Sequence, residues 1–147
     1  MATDAGDGDE YEGGRDAAGR PHGKGRQLCA NGDEYKGAWN AGVRQGIGVY
    51  TYAEGGKYDG AWNAGVRDGH GVQTWANGDK YDGCWNAGLQ HGYGLQLCAD
   101  GDKYEGAWKA GVRHGHGVCT FADGLTHEGE ESGDMEYVDQ SWVFTRA

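Results

Sequence analysis

Hydrophobic and polar positions alternate along short stretches of this chain. In one such stretch Tyr35 and Trp39 occupy odd-numbered positions. The even-numbered positions between them hold a lysine and an alanine. A period of two is typical of a β-strand, because successive side chains point to opposite faces. A second run, residues 48–52, is rich in β-branched and aromatic residues. We expect Gly42 and Gly46 to bracket a turn between the two runs, so the segment predicts a β-hairpin.

The hairpin pattern recurs along the chain with a fixed period. Four full copies start 23 residues apart, at Tyr35, Tyr58, Tyr81 and Tyr104. A degraded copy starts at Tyr11 and has Arg15 where the full copies have tryptophan. Another copy starts at His127 and fails after Gly129. A fixed period of this kind is typical of a repeat array.

The repeats predict an all-β fold, an elongated single antiparallel sheet of stacked β-hairpins. An isolated hairpin is marginal in water, so each copy must pair with its neighbours. Five hairpins with strands about 4.8 Å apart would extend over roughly 50 Å. One glycine lies between the tyrosine and the tryptophan of each full copy, where we expect it to leave ring edges open. These glycines are Gly37, Gly60, Gly83 and Gly106.

The two faces of the predicted sheet differ in chemistry. Lys57 and Asp59 flank Tyr58, and two further copies repeat this arrangement. We expect this charged face to be solvated, with each exposed pair contributing under about 1 kcal/mol. The other face carries the tyrosines and tryptophans and is predicted to hold the packing. Its members from the second strands are Tyr52, Trp75, Cys98 and Phe121.

Composition narrows the class of protein. The chain has 31 Gly but 1 Pro, which excludes a collagen-like structure. Six Trp and nine Tyr supply apolar area that a chain poor in aliphatic residues otherwise lacks. No apolar run is long enough for a membrane-spanning helix, and no basic and apolar leader is present. Four cysteines without a C-x-x-C pair favour reduced thiols, so we expect a cytoplasmic protein.

Acidic residues are concentrated at the two ends. The net charge of −10 divides into −4 for residues 1–34, −1 for residues 35–126 and −5 for residues 127–147. Terminal repeats of an array must be atypical to protect the sheet edges, so both ends are interpreted first as caps. The expected divisions are an acidic lead, a degenerate first repeat, four full repeats and an acidic, aromatic tail, at residues 1–10, 11–34, 35–126 and 127–147.

The tail carries a group of large apolar residues, Tyr137, Trp142, Val143 and Phe144. One interpretation is a docking peptide for another protein. The favoured alternative is a strand or turn that folds back over the aromatic face.

Histidines and acidic residues recur at some repeat positions without forming a metal motif. His91 and His114 share one position, and His70 and His116 share another. Equivalent residues of adjacent hairpins lie about 10 Å apart, too far for zinc ligands at about 2 Å. The run 100–102 has two aspartates but lacks the other ligands of a calcium loop, so it predicts a turn. We therefore expect no metal and no cofactor.

The cysteines and glycines offer no catalytic arrangement. Cys29 and Cys98 occupy the position of Tyr52 and are interpreted as small core residues, whereas Cys84 and Cys119 are expected to be exposed. The glycine pairs lack the strand and helix context of a dinucleotide loop. No acid and base pair and no activated nucleophile is apparent, so the sequence predicts a protein that is not an enzyme.

The pattern Y-x-G-x-W-x-x-G-x-x-x-G-x-G, repeated every 23 residues over 35–126, closely resembles the MORN repeat. The four full copies depart from it at one position that the family often fills with a charged residue. That position holds Ala38, Ala61, Cys84 and Ala107. The resemblance implies a hairpin array whose curved surface binds partner segments. It also implies a scaffold role in cytoskeletal, ciliary or membrane-associated assemblies.

These expectations combine into a non-enzymatic protein interaction scaffold, with a cytoskeletal or axonemal location by analogy with the family. The partner is expected to be an extended or helical protein segment, not nucleic acid, and the oligomeric state stays open. The predicted partner-binding residues are the rings Tyr35, Trp39, Tyr52, Tyr58, Trp62, Trp75, Tyr81, Trp85, Tyr104, Trp108 and Phe121.

A second candidate surface is basic. Arg44, Arg67 and Arg113 form a row near the turns that Gln90 interrupts. The favoured interpretation is a solvated edge, followed by a site for an acidic peptide and then by one for phospholipid. The alternative function is therefore a peripheral tether to anionic membranes, which the acidic ends of the chain disfavour.

Overall fold

The computed structural model of the chain describes residues 8–131, 135–138 and 141–144, with side chains up to Gly129. Within these residues the regular structure is entirely strand. The first eleven strands are β1 Glu10–Arg15, β2 Pro21–Leu28, β3 Glu34–Asn40, β4 Val43–Thr51, β5 Gly56–Asn63, β6 Val66–Trp75, β7 Lys80–Asn86, β8 Leu89–Leu97, β9 Lys103–Lys109, β10 Val112–Thr120 and β11 Thr126–Glu131. Two more strands follow, β12 Met135–Val138 and β13 Ser141–Phe144.

Strands β1 to β11 form one antiparallel sheet in sequence order, and β12 pairs with β13 in a separate sheet. The prediction of an all-β sheet of consecutive hairpins is therefore confirmed. The side chains of the apolar tail residues lie outside the described part of the chain. Its interpretation as a cap or a docking peptide stays a prediction.

Each full repeat reverses direction on a two-residue loop of alanine and glycine. In the first full repeat φ is 47° at Ala41 and 93° at Gly42, the left-handed pair of a type I′ turn. The expectation that Gly46 borders the turn is wrong, because Gly46 lies within β4 and pairs with Trp62 of β5. An alanine in the left-handed region is strained, so the flanking ladders must hold it there.

Hydrogen bonds between successive repeats hold these turns in place. The Ala64 N–H donates to Gln45 Oε1 at 2.8 Å, and the Gly65 N–H donates to the Arg44 carbonyl at 3.0 Å. At the other edge of the array, Asp33 Oδ1 accepts from the Ala53 N–H at 2.8 Å. The hydrogen bond from the Ala53 N–H is the main cause that lowers the pKa of Asp33. The aspartate bond recurs at Asp79 and Asp102 but not at Gly56, which holds the same position in the first full repeat.

A row of glycines crosses the whole sheet, with one glycine in each strand. A Cβ added to Gly48 would overlap the Tyr35 ring, and one added to Gly71 would overlap the Tyr58 ring. At Gly37 an added Cβ would overlap the Gly48 backbone and come within 2.9 Å of the Tyr35 hydroxyl, so the expectation that the predicted glycines leave ring edges open is wrong. The paired row is Gly13, Gly25, Gly37, Gly48, Gly60, Gly71, Gly83, Gly94, Gly106, Gly117 and Gly129.

The core is a single layer of rings on one side of the sheet, which we call the ring face. Trp62 contacts two tyrosines edge-on, with ring centroids 5.3 Å from Tyr35 and 5.2 Å from Tyr58. The Tyr35 hydroxyl donates to the Ala38 carbonyl at 2.8 Å, and Trp62 Nε1 donates to the Gly48 carbonyl at 3.1 Å. Because these polar atoms are bonded, the rings are buried without leaving a donor unsatisfied.

We call the opposite side of the sheet the open face. It carries the strand positions that alternate with the ring face, beginning in the full repeats with Lys36 and Ala38 of β3 and Ile47 and Val49 of β4. These residues pair across the strands, as Lys36 does with Val49. Strands β1 to β11 lie in one sheet, so none of them forms a second layer over this face.

Candidate functional site

Eight of the eleven rings predicted to bind a partner belong to the core. Their exposed fraction decides their role, because a partner cannot contact a covered ring without opening the sheet. It is 0% for Tyr35, Tyr58, Tyr81 and Tyr104, and 5% or 6% for Trp39, Trp62, Trp85 and Trp108. We therefore correct the assignment of these eight from partner-binding residues to packing residues.

The other three predicted rings, Tyr52, Trp75 and Phe121, are half-buried. Trp75 and Phe121 pack against the core cluster. Tyr50, which sequence reasoning missed, lies 4.9 Å from Tyr52 between ring centroids, and its hydroxyl donates to Asp33 Oδ2 at 2.7 Å. The sequence could have indicated Tyr50, because it precedes Tyr52 by two residues and therefore lies on the same face. The accessible rings of the ring face therefore lie along the edge where Tyr52, Trp75 and Phe121 recur.

The predicted basic row lies against the rings and not at a solvated edge. The Arg44 guanidinium carbon lies 5.0 Å from the Tyr50 ring centroid and 5.7 Å from that of Trp62. The same atom of Arg67 lies 4.3 Å from the Trp85 ring. These are cation–π distances, so the arginines cover the rings that the single-layer sheet would otherwise expose.

Glutamines of the same face engage the arginine side chains. Arg44 Nη2 donates to Gln27 Oε1 at 2.8 Å, and Arg67 Nη1 donates to Gln73 Oε1 at 3.0 Å. Arg113 is 3% exposed, and its Nη2 donates to Gln96 Oε1 at 2.9 Å. The solvated-edge interpretation is therefore wrong. Sequence reasoning also missed the glutamines, although Gln27, Gln73 and Gln96 share the repeat position of Tyr50.

Burial on the ring face raises the pKa of the tyrosine hydroxyls. It raises the pKa of Tyr35 to about 12, and the nearby Arg44 opposes that rise. It also raises the pKa of Tyr58 to about 12, with Arg67 opposing the rise. Tyr81 lies in the repeat where Gln90 replaces the arginine, and burial raises its pKa as well. All three hydroxyls are thus held in the neutral form at neutral pH.

The ring face has one small cavity between Arg44 and Arg67. Its volume is about 240 Å³, and Tyr50, Tyr52 and Trp62 contribute to its walls. Sites for small molecules usually measure about 300–1,000 Å³. The cavity therefore has the size of a single side chain of a partner.

The cysteines divide differently from the prediction. Cys84 is exposed as expected, but the expected exposure of Cys119 is wrong, because Cys119 is 1% exposed within the core cluster. Burial raises the pKa of the Cys98 thiol to about 11. A thiol with so high a pKa is a poor nucleophile at neutral pH, which agrees with a packing role for Cys98.

Histidines and acidic residues stay dispersed in the described part of the chain. His70 Nε2 lies 2.9 Å from Asp82 Oδ1 on the open face. Within the described ranges no group of three or more His, Cys, Asp and Glu is placed to hold a metal ion. The run 100–102 is a turn, in which the Asp102 N–H donates to Asp100 Oδ1 at 3.0 Å. None of the described segments is a helix able to cross a membrane.

The open face exposes large apolar side chains that the sequence analysis did not select. The exposed fraction is 65% for Ile47, 60% for Tyr93 and 36% for Leu97. A trough of about 820 Å³ crosses β1 to β4 on this face, and its floor contains glycines of the transverse row. The lining residues are Glu12, Gly13, Lys24, Gly25, Arg26, Lys36, Gly37, Ala38, Ile47, Gly48 and Val49.

The repeat geometry agrees with a comparison against protein families. The family model for the MORN repeat matches five consecutive segments, residues 17–34, 35–57, 58–80, 81–103 and 104–126. The chain belongs to the MORN-repeat family. The matched MORN segments cover more than half of the chain and include part of the degenerate first copy. A search of curated proteins found no match.

Proposed function

We propose that this MORN-repeat protein is a non-enzymatic scaffold that binds a segment of another protein on its open face. The observation that carries the proposal is the contrast in exposure between the two faces. The rings and arginines of the ring face contact one another, whereas Ile47 and Tyr93 lie largely in solvent. Ile47 and Tyr93 hold the same repeat position two repeats apart, and large exposed apolar side chains on one surface of a rigid sheet are typical of interaction sites.

Binding on the ring face, as expected from sequence, stays a weaker candidate. Its accessible rings among the described residues are Tyr50, Tyr52, Trp75 and Phe121, and the exposed Val66 borders the cavity between Arg44 and Arg67. A partner side chain would enter that cavity only after competing with the glutamines for the guanidinium groups. Phospholipid binding is weakened in the same way, because those guanidiniums already have protein acceptors.

Affinity purification from native cells with matched baits tests the choice of face. The open-face bait carries Ile47→Lys and Tyr93→Lys, and the ring-face bait carries Tyr52→Ala. We expect the wild-type chain and the ring-face bait to enrich the same protein, and the open-face bait to lose it.

The enriched protein is then purified and titrated against all three chains. Loss of binding with Tyr52→Ala alone would return the site to the ring face. Binding to anionic vesicles, with no protein enriched by any bait, would replace the scaffold with a membrane tether. Cytoskeletal or ciliary placement stays a prediction until the partner is known.

A further inference from the structure

One part of the open face has the opposite charge pattern from the rest. Its strand positions in the trough carry Lys24 and Arg26 on β2 and Lys36 on β3. One repeat further along, the same three positions carry Ile47, Val49 and Asp59. The later repeats again place an acidic residue at the third position, at Asp82, Glu105 and Glu128. The basic cluster therefore occurs once, in a chain whose net charge is −10.

Two acidic residues, Glu12 and Glu34, lie beside Arg26, and the two lysines of the cluster supply its net positive charge. Arg26 pairs with Glu34, with Arg26 Nε and Glu34 Oε2 2.5 Å apart. Lys24 and Lys36 are both exposed, and their ammonium groups border a floor formed by backbone at Gly25 and Gly37. The trough thus combines mobile positive charge with a floor that a second chain can approach closely.

Apolar surface completes the trough on its β4 side. Ile47 is 65% exposed there, with Ala38 and Val49 beside it. Four strands at about 4.8 Å spacing give a width of roughly 14 Å, the length of about four extended residues. An occupant of this size needs carboxylates for the lysines and an apolar side chain for Ile47.

From these observations we propose that the trough binds a protein segment that alternates acidic and apolar residues. The inference rests on the proposed function, because it names the chemistry of a segment bound on the open face. A narrow segment fits better than a lipid surface. A membrane that reached Lys24 and Lys36 would also approach the acidic row of Asp59, Asp82 and Glu105 on the same face. A segment confined to β1 to β4 would meet Glu12 but not that row.

A peptide titration tests the proposal on the full chain. The probe has about four alternating Glu and Leu residues between Gly-Ser flanks, matched to the width of the trough. Two control peptides replace Glu with Lys, or Leu with Ser. We expect amide chemical shifts to move at Gly25, Gly37 and Gly48, and both control peptides to bind more weakly.

Charge variants locate the site. Lys24→Gln with Lys36→Gln should weaken the Glu-Leu peptide about fivefold or more, at under about 1 kcal/mol for each lysine. The matched control, Lys80→Gln with Lys103→Gln, changes two lysines of the same face outside the trough and should leave affinity unchanged. Circular dichroism checks that both double variants fold. We expect them to fold, because the substituted lysines lie at the surface.

Several results would overturn the inference. They are equal affinity for the Glu-Leu and Lys-Leu peptides, shifts centred at Gly83 and Gly106, or no peptide binding at all. Binding of phosphatidylserine vesicles that requires Lys24 and Lys36, without peptide binding, would assign the trough to lipid. If the peptide fails while the open-face bait still loses its partner, the scaffold function stands and only the chemistry of the trough is wrong.

Discussion

The two faces of this sheet are built from the same strands, yet they use their side chains in opposite ways. On the ring face, Trp62 contacts two tyrosines and lies beneath Arg44, so its apolar area is used within the chain. On the open face, Tyr93 is 60% exposed. The comparison teaches that aromatic content alone does not locate a binding surface in a single-layer sheet. The position of a ring in the alternation decides whether it stabilises the fold or faces solvent.

Alkaline pH should produce the largest difference between the faces, because it acts on all buried tyrosines together. Burial raises the pKa of Tyr35 and Tyr58 to about 12, from an ordinary tyrosine pKa of about 10. The folded state therefore holds these protons more tightly than the unfolded state. The contribution of these tyrosines to the free energy of unfolding is fully present below pH 10. It is lost as the pH rises towards 12. Denaturant unfolding at stepped pH, with tyrosinate absorbance recorded, checks this. Full tyrosinate absorbance at pH 11 with an intact fold would contradict it.

Removing one ring from each face should separate their roles. Trp62→Ala should reduce the free energy of unfolding by about 3–5 kcal/mol, because a buried indole leaves a large cavity. Tyr93→Ala, on the open face, should cost less than about 0.5 kcal/mol. Denaturant unfolding monitored by circular dichroism measures both. Similar costs for the two variants would mean that the open face also carries packing.

The glycine row offers a second contrast. Gly71→Ala should cost about 1–3 kcal/mol or more, because the new methyl group would overlap the Tyr58 ring. Gly129→Ala is the matched control from the same row, since among the described residues its added Cβ meets nothing nearer than His127 Nε2 at 3.9 Å. Thermal unfolding of the two variants compares them. A harmless Gly71→Ala would show that the tyrosine rings can move away from the glycines.

The turns predict a substitution that stabilises the fold without changing either face. Ala64 has φ of 51°, where asparagine is tolerated better than alanine. Ala64→Asn should therefore raise the free energy of unfolding by about 1 kcal/mol. Ala61→Asn, within β5, is the control and should not stabilise. Chemical denaturation of both proteins checks the sign of the effect.

The smallest expected effect concerns the gap in the arginine row. Gln90→Arg should place a guanidinium near the Tyr81 ring and add about 0.5–1 kcal/mol of stability. It should also lower the pKa of Tyr81, because a positive charge favours the phenolate. Gln90→Met keeps the side-chain length without charge and should do neither. Spectrophotometric titration together with unfolding curves distinguishes the two variants.

Much of the fold could be predicted from the sequence, because the period of 23 residues and the alternation of Tyr35 with Lys36 set both strands and faces. The inward position of Arg44 was harder to predict. Alternation along β4 places Arg44 on the same face as Gly48 and Tyr50, despite the bulge between Arg44 and Gly48, but it does not say whether the guanidinium is covered. An arginine near a turn is also usually solvated, and only the stacked rings of the next repeat explain why this one is not.

The candidate site was less predictable than the fold. The buried state of Trp39 depends on Tyr11, whose ring comes from the degenerate copy 28 positions earlier and lies 5.3 Å away between centroids. Local pattern does not reveal such a contact. The trough was also hidden, because Lys24 and Ile47 are unremarkable until the sheet brings β1 to β4 side by side.

The order of the strands has a mechanical consequence. Every strand of the main sheet lies across the long axis of the array, and its ladder bonds run along that axis. Tension between two partners attached near opposite ends would pass through all the ladders in series, and a ladder at an edge, which has a neighbouring strand on one side only, would open first. The sheet would lengthen by peeling strands in turn from an edge instead of rupturing in a single event. A tether of this kind yields gradually and rebuilds by pairing each strand with the next.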